Sequence, residues 1–391
     1  MTIAELAANP DRDYRPIPFW SWNDRLEAGE LSRQIRLMHD AGIGGFFMHA
    51  RGGLLTGYLG KEWFDMTKAS IRTAGECGMN PWAYDENGWP SGFGSGAVNG
   101  LGVQYQQKYL RCRKLTPAEL AGTENRIALY STDGKRLTEE QAKQKTEILL
   151  FYYDINPYYV DTLDLKVTET FLETAHQAYY DSLTEAERKS MKGFFTDEPQ
   201  ISRNGIPWSF THEAEYRSAY GEELLDVLPH LFFRFSGWER TRWRFWRLTT
   251  HLFLNHFMKP IYDWCEAHGW QLTGHQVCED NYSSQLTSNG AVMPHYQYYH
   301  IPGMDALGRH FVSVATTLQL ASAAAQTGKS QILSETFALC GWAVDFADLK
   351  WLYQWQTVHG INLLCQHLEG YSLRGIRKRD YPASLFIHQP W

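Results

Sequence analysis

Short apolar runs alternate with longer stretches of helical periodicity along almost the whole chain. This alternation is typical of a parallel sheet with crossover helices. Eight apolar runs are candidate strands: residues 15–23, 44–51, 80–87, 193–199, 270–280, 301–308, 330–337 and 361–371. The pattern therefore predicts an α/β protein, a (β/α)8 TIM barrel that spans residues 1–391.

The alternation is interrupted after the third strand. Residues 88–102 are rich in glycine and are expected to form a loop, but their spacing does not give the dinucleotide-binding fingerprint. Residues 104–160 contain β-prone pieces around a DGK turn and a charged run. They predict a small β-rich insertion within the barrel.

Composition excludes some classes of function. The formal net charge is −7 and no basic run occurs, so neither nucleic acid nor an anionic membrane is an expected partner. The N-terminus has no signal-like segment, and no window approaches the ~18 apolar residues of a membrane span, so we expect a cytoplasmic protein. Aromatic residues make up 15% of the chain, which fits either a large core or a cleft lined by rings. Oligomeric state is not predictable from the sequence.

Polar or aromatic residues stand near the carboxyl ends of the predicted strands, where the βα loops of a barrel converge on the active site. In chain order they are Trp20, Trp22, Asn23, His49, Arg51, Tyr84, Asp85, Glu86, Asn87, Trp89, Asp197, Glu198, His275, Glu279, Asp305, Glu335 and His367. A buried charge without a partner costs several kcal/mol, so a ring of such groups predicts one shared polar cavity.

Glu198 and Glu335 are the predicted catalytic pair, because they end the fourth and seventh strands on opposite sides of the barrel mouth. Cleavage of a glycosidic bond uses two carboxyl groups: one protonates the leaving oxygen, and the other attacks the anomeric carbon or activates a water. Each glutamate alone could equally form an ordinary salt bridge.

The other residues at the strand ends suit an oligosaccharide or glycoside substrate. Polar side chains can bond to hydroxyl groups, whereas Trp20, Trp22, Tyr84, Trp89 and Trp342 offer flat surfaces for sugar rings. Two alternatives remain open. One is a non-catalytic carbohydrate-binding barrel. The other is a metal-dependent hydrolase or isomerase that uses the histidines, although no HxH or HExxH spacing occurs.

Several motifs together resemble the catalytic barrel of large bacterial glycosyl hydrolases related to glycoside hydrolase family 106, the α-L-rhamnosidases. The motifs are FWSWND, GIGGFFMHARGGLLTGYLG, YDENGWPSG, GFFTDEP, LTGHQ, HIPGMDAL, LSETFALCGW and YSLRGIRKRDYPASLF. The resemblance extends from about Arg15 to Trp391 and implies a (β/α)8 barrel that hydrolyses a glycosidic bond, such as that of an α-L-rhamnoside or a related sugar.

The resemblance has further implications. Family 106 enzymes resemble inverting enzymes, and further β-sandwich domains often follow their barrel. Retaining glycosidases of clan A have Asn-Glu after strand four, whereas Asp197 stands in the Asn position here. No cofactor is expected from the residues themselves. Some family members bind calcium near the sugar, and Asp85, Glu86 and Glu279 are the candidate ligands in this chain.

Overall fold

The described residues of the computed structural model, 3–375 together with Leu385, Gln389 and Trp391, contain a parallel sheet that closes on itself. Its strands are β1 Phe19–Trp22, β2 Gly45–Ala50, β3 Asn80–Asn87, β8 Gly193–Asp197, β10 Gln271–His275, β11 Ile301–Ala306, β12 Leu333–Thr336, β13 Leu363–Gln366 and β14 Glu369–Gly370. Strand β14 pairs with β1, and β13 pairs with β12. The predicted (β/α)8 barrel is confirmed, with its eighth strand divided into β13 and β14.

Helices follow the barrel strands as the periodicity predicted. Helix α3 ends at Cys77, and Gly78 caps it in the left-handed conformation that glycine adopts most readily. One π-turn, Leu172–His176, joins α5 to α6, and another, Leu254–Met258, joins α10 to α11. The helices are α1 Ile3–Ala8, α2 Ala28–Asp40, α3 Lys61–Cys77, α4 Glu139–Lys143, α5 Leu165–Phe171, α6 Gln177–Ser182, α7 Glu185–Ser190, α8 His212–Tyr220, α9 Leu224–Val227, α10 Trp238–Phe253, α11 Lys259–Ala267, α12 Tyr282–Asn289, α13 Val314–Thr327 and α14 Phe346–Val358.

A second, antiparallel sheet is built largely from the segment between β3 and α5. Its strands are β4 Gln106–Leu115, β5 Arg126–Tyr130, β6 Arg136–Leu137, β7 Ile148–Val160 and β9 Ile206–Trp208. The last of these comes from the loop after barrel strand β8, so the sheet is tied to the chain segment that follows Glu198.

Side chains alternate between two cores along each barrel strand, as the pleat requires. Phe19, Phe47, Tyr84 and Phe195 belong to the small core inside the barrel, where the rings of Phe19 and Phe195 are 4.7 Å apart. The intervening residues pack outward against the helices in the large core. This alternation decides which residues at the strand ends can face the cavity.

Part of one sequence motif falls on residues that the structure does not describe. Residues 376–384 of the motif at 371–386 lie outside the described residues, as does residue 386. Within the part of the chain that is described, no helix is both long and apolar enough to cross a lipid bilayer.

Candidate active site

Seven of the predicted residues lie on barrel strands, or directly after one, at positions in phase with the inward-facing side chains. They are His49, Tyr84, Asp197, His275, Asp305, Glu335 and His367. They come from seven neighbouring strands of the closed sheet and are linked by hydrogen bonds and close charge contacts. The barrel therefore assembles one polar cluster from residues that are far apart in sequence.

Both predicted catalytic glutamates border a single cavity, which we call the central cavity. Its volume is about 340 Å³. Its lining residues are Arg51, Gly52, Gly88, Trp89, Asp197, Glu198, Asp305, Leu307, Glu335, Ala338, Leu339 and His367. The cavity combines cationic, anionic and apolar groups, so it suits a polar ligand with some apolar surface.

Glu335 is held by two histidines. Nε2 of His275 donates to one of its carboxylate oxygens at 2.7 Å, and Nδ1 of His367 donates to the other at 2.8 Å. Burial opposes ionisation, but these two hydrogen bonds keep the pKa of Glu335 below its ordinary value. Burial also disfavours the charged imidazole, but Glu335 holds the pKa of His275 well above its usual range. Glu335 is therefore an ionised carboxylate beside a cationic imidazole.

The pKa of Glu198 is shifted in the opposite direction to that of Glu335. Burial and the neighbouring Asp197 raise its pKa to about 8, although Arg203 lies 3.0 Å from one carboxylate oxygen. Glu198 has a φ of 45°, a conformation that is uncommon for a residue with a side chain. Its backbone N–H donates to the carbonyl of His275 at 3.2 Å. Such local strain is often found at functional sites.

Close approach of two strands brings Glu198 towards His275. A Cβ atom on Gly274 would lie 1.9 Å from the carbonyl oxygen of Thr196, and one on Gly193 would lie 1.8 Å from that of Gln271. Glycine at both positions lets β8 and β10 pair without a clash. A substitution at either glycine would force the ends of the two strands apart.

Asp197 shares the polar cluster with Glu335. Tyr84 donates to Asp197 at 2.6 Å, and Nε2 of His275 is 3.5 Å from its other carboxylate oxygen. Burial and the charge on Glu335 raise the pKa of Asp197 to about 6. The ring of Tyr84 is fully buried inside the barrel, so it positions Asp197 and cannot offer the flat surface to sugar that we predicted.

His49 and Arg51 form a pair at the end of β2. Nη1 of Arg51 is 3.1 Å from Nε2 of His49, which must accept this hydrogen bond in its neutral form. Burial and the charge on Arg51 lower the pKa of His49 well below its usual range. His49 is therefore a neutral support, and Arg51 brings a positive charge to the central cavity.

The prediction that Trp20 and Trp22 bind substrate is wrong. Both are buried at the outward-facing positions of β1, where Trp20 packs on Phe46 and Trp22 packs on Trp63. The alternation on β1 places Phe19, not its tryptophan neighbours, on the barrel interior. A period of two in the strand FWSW was the sequence signal that could have separated these positions.

Three further residues hold the chain in place instead of facing the cavity. Asn23 is buried and makes two hydrogen bonds to the backbone of Ser372. Its Nδ2 donates to the Ser372 carbonyl at 3.1 Å, and its Oδ1 accepts from the Ser372 N–H at 2.8 Å. Asp85 accepts from the hydroxyl of Ser91 at 2.5 Å and also lies at an outward-facing position. Asn87 donates to Ser95 at 3.0 Å. The predicted contacts of these residues with a sugar are not supported by their positions.

Glu86 organises the glycine-rich loop after β3. Its carboxylate accepts backbone N–H groups of Asn87, Gly94 and Ser95 at 2.8, 2.7 and 2.6 Å. Burial raises its pKa to about 7 despite these bonds. Because this loop also carries Trp89, Glu86 acts on the cavity indirectly.

Two predicted aromatic residues remain at the surface. Trp89 is 43% exposed and lines the central cavity, whereas Trp342 is 53% exposed and is not among the residues that line it. The guanidinium of Arg203 lies 4.6 Å from the centre of the Trp89 ring. Sequence reasoning missed Arg203, because it lies in the loop beyond β8 and no strand pattern marks it.

The predicted calcium ligands do not come together. Asp85 and Glu86 are already bonded as described, and Glu279 accepts from the Tyr296 hydroxyl at 2.8 Å and from the Asp305 backbone N–H at 2.9 Å. Among the residues the structure describes, the groups that could share a cation are Asp197 with His275 and Glu335, and Glu198 with His275 and Asp305. An imidazole in both sets is a poor match to the all-oxygen shell that calcium prefers.

Fold and site together define the class: a (β/α)8 barrel with a cavity of carboxylates and histidines at the carboxyl ends of its strands. No family model matches the chain, and no curated protein matches it in sequence. Among solved structures, the fold is similar to the rhamnosidase from Novosphingobium sp. PP1Y, with a TM-score of 0.68 and 12% identity over 95% of this chain. This chain spans 56% of the length of that protein.

More distant similarities are to other named glycosidases. The endo-β-1,4-mannanase from Thermotoga petrophila aligns with a TM-score of 0.46 and 8% identity over 97% of this chain and 73% of its own. The Thermobaculum terrenum O-GlcNAc hydrolase aligns with a TM-score of 0.36 and 9% identity over 90% of this chain and 55% of its own. Of these three structures, the rhamnosidase is the one whose similarity bears on the fold of this chain.

Proposed function

We propose that this protein hydrolyses a glycosidic bond, with Glu198 as the general acid and Glu335 as the general base or nucleophile. The observation that carries the proposal is the opposite tuning of two glutamates on one cavity. Burial keeps Glu198 protonated at neutral pH, and two histidines keep Glu335 ionised. Divergent pKa values in a carboxyl pair are the arrangement that acid–base cleavage of a glycoside requires.

The remaining cavity residues fit this assignment. Arg51 and His367 can bond to sugar hydroxyls, and Trp89 presents an exposed ring at the rim. The similarity of the fold to a rhamnosidase, together with the motifs that resemble family 106, makes an α-L-rhamnoside the first substrate to test. Asp197 stands where clan A enzymes have an asparagine, and it accepts a hydrogen bond from the hydroxyl of Tyr84. Because this position differs from the retaining enzymes of clan A, retention or inversion should be determined from the anomer of the first product.

The test is turnover of para-nitrophenyl glycosides, beginning with the α-L-rhamnoside and extending to other sugars and both anomers. We expect the wild-type protein to release nitrophenol from at least one of them and Glu335→Gln to release almost none. A folded wild-type protein that binds sugars without turning any over would instead favour a carbohydrate-binding barrel.

A metal-dependent hydrolase is the second candidate, and one observation favours it. Ligand atoms of Asp197, His275 and Glu335 all lie within 4.8 Å of one another, and all three residues are buried. The hydrogen bond from His275 to Glu335 explains the cluster without a cation. Activity that is lost on dialysis against a chelator and restored by one divalent metal would favour this second function.

A further inference from the structure

A second cavity adjoins the central cavity, and we call it the side cavity. Its volume is about 360 Å³, and it shares Glu198 and Asp305 with the central cavity. Its other lining residues are Gln276, Cys278, Glu279, Asp280, His310, Phe311, Val312, Ser313 and Thr316. They come from the segments that follow β10 and β11 and from the start of α13. The two cavities therefore have different walls but share a border at Glu198 and Asp305.

We propose that the side cavity binds the leaving group of the cleaved glycoside and that this leaving group is a second sugar unit. This inference rests on the proposed function. A general acid must reach the oxygen that joins the two halves of the substrate. Glu198 borders both cavities, whereas Glu335 borders only the central one. The central cavity therefore takes the sugar that is attacked.

Glu198 stands between the sugar that is attacked and the sugar that leaves, and each bond and proton of the reaction can be followed from there. Glu198 transfers its proton to the glycosidic oxygen, the bond from that oxygen to the anomeric carbon breaks, and the second sugar departs as an alcohol into the side cavity. Water supplies the hydroxyl group that ends on the anomeric carbon. Its other proton is taken by a carboxylate, which restores the protein to its starting charge.

Polar groups of the side cavity favour a leaving group with many hydroxyls. Carboxylates of Glu279 and Asp280 and the hydroxyl of Ser313 offer hydrogen bonds around it. Gln276 is fully buried, and its Oε1 has no hydrogen-bond partner among the described residues; Oδ1 of Asp305 shares this property. Buried polar atoms are normally paired, so unpaired acceptors beside a cavity point to a ligand or water that donates to them.

One ring in the side cavity provides an apolar surface of fixed orientation. Phe311 is 37% exposed, and its ring stacks on Trp355 at 4.7 Å with an interplanar angle of 14°. Trp351 packs at 4.0 Å from the same ring. A rigid ring among hydroxyl-binding groups is the combination that recognises the apolar face and the polar rim of a pyranose.

Two rhamnosyl substrates separate the roles of the cavities. Rutinose, a rhamnosyl-glucose disaccharide, needs both a protonated leaving oxygen and a place for glucose. Rhamnosyl fluoride needs neither, because fluoride departs without a proton and fills almost no space. A change confined to the side cavity should therefore lower kcat/KM for rutinose and spare that for the fluoride.

Cys278 gives a way to block the side cavity. It is exposed and lines that cavity, so a bulky fluorescein maleimide should attach there. We expect labelling to lower kcat/KM for rutinose by about tenfold or more and to change fluoride hydrolysis by less than about twofold. Cys278→Ser, treated identically, reports any effect of labelling at the other cysteines and should show no drop on treatment.

A matched pair of substitutions provides a second readout. Phe311→Ala removes the ring from the side cavity, whereas Leu318→Ala removes a side chain on α13 that is 52% exposed and lies outside it. We expect only Phe311→Ala to raise KM for rutinose. Equal losses of kcat/KM on rutinose and on the fluoride would overturn the assignment of the side cavity as the leaving-group site. So would unchanged rutinose kinetics both after labelling and in Phe311→Ala.

Failure of the two proposals would look different. If rhamnosyl fluoride is hydrolysed, and rutinose hydrolysis is unchanged by labelling at Cys278 and by Phe311→Ala, only the role of the side cavity is disproved. If wild-type protein hydrolyses neither rhamnosyl substrate nor any para-nitrophenyl glycoside, the proposed function falls, and the inference falls with it.

Discussion

Nε2 of His275 donates to the carboxylate of Glu335 across 2.7 Å, and both side chains are buried. This pair joins strand β10 to strand β12 across the intervening β11. A cation fixed beside Glu335 makes that carboxylate a stable anion, while Glu198, which follows the strand next to that of His275, remains protonated. The two glutamates therefore differ in protonation state at neutral pH.

Glu198→Gln should lose activity selectively on substrates with a poor leaving group. Glutamine cannot donate the proton that a departing sugar needs, so rutinose hydrolysis should fall by about 10²–10⁴-fold. Rhamnosyl fluoride hydrolysis should fall far less, because fluoride needs no proton. Steady-state kinetics on the two substrates is the measurement, and equal losses would remove Glu198 from the role of acid.

Glu335→Gln should lose activity on both substrates. The base or nucleophile acts at the anomeric carbon whatever leaves, so a better leaving group cannot rescue the variant. Circular dichroism and a thermal melt should accompany the kinetics, because the substitution also leaves His275 and His367 without their anion. Full fluoride activity in a folded variant would contradict the assignment.

The alkaline limb of the pH profile should report Glu198. The acid must be protonated, so kcat/KM should fall as pH rises through about 8, the raised pKa of this carboxyl. Arg203 lowers that pKa from 3.0 Å away, and Arg203→Gln should therefore move the limb to higher pH. Arg217→Gln, which alters a surface pair with Glu223, is the matched control and should leave the limb in place.

Glu198→Gln should also stabilise the protein at alkaline pH. Burial raises the folded-state pKa from 4.5 to about 8, so the folded protein binds the proton more tightly than the unfolded chain does. The free energy of unfolding should therefore decline as pH rises between these values, and glutamine should remove that part of the decline. A gain in Tm at pH 8 but not at pH 4 is expected, with about 1–2 °C for each kcal/mol. A pH-independent difference would contradict this account.

Two tryptophans should behave in opposite ways. Trp20 is buried between the sheet and the helices, so Trp20→Ala should cost about 3–5 kcal/mol of stability, and Trp20→Phe should keep the fold and its kcat/KM. Trp89 is exposed on the central cavity, so Trp89→Ala should raise KM with little change in Tm. Chemical denaturation and kinetics separate the two effects. A change of KM in Trp20→Phe would contradict the placement of Trp20 away from the substrate.

Much of the fold was readable from the chain because apolar runs and helical periodicity follow local geometry. Strand β3 has the predicted bounds, Asn80–Asn87, and α3 ends at Cys77 before the glycine that marked its stop. The polar ends of the strands also marked Glu198 and Glu335. The clearest errors were Trp20 and Trp22, where residue type outweighed the alternation along the strand.

The sequence by itself determined the strand–helix order and the carboxylates that end strands four and seven, because these depend on neighbours along the chain. Tertiary structure decided which of those two carboxyl groups is protonated and which is ionised. Protonation depends on burial and on charges within a few ångströms, and both come from distant segments: His275 and His367 reach Glu335, and Asp197 and burial act on Glu198. Closure of the sheet brings these groups together, and no pattern along the chain records their distances.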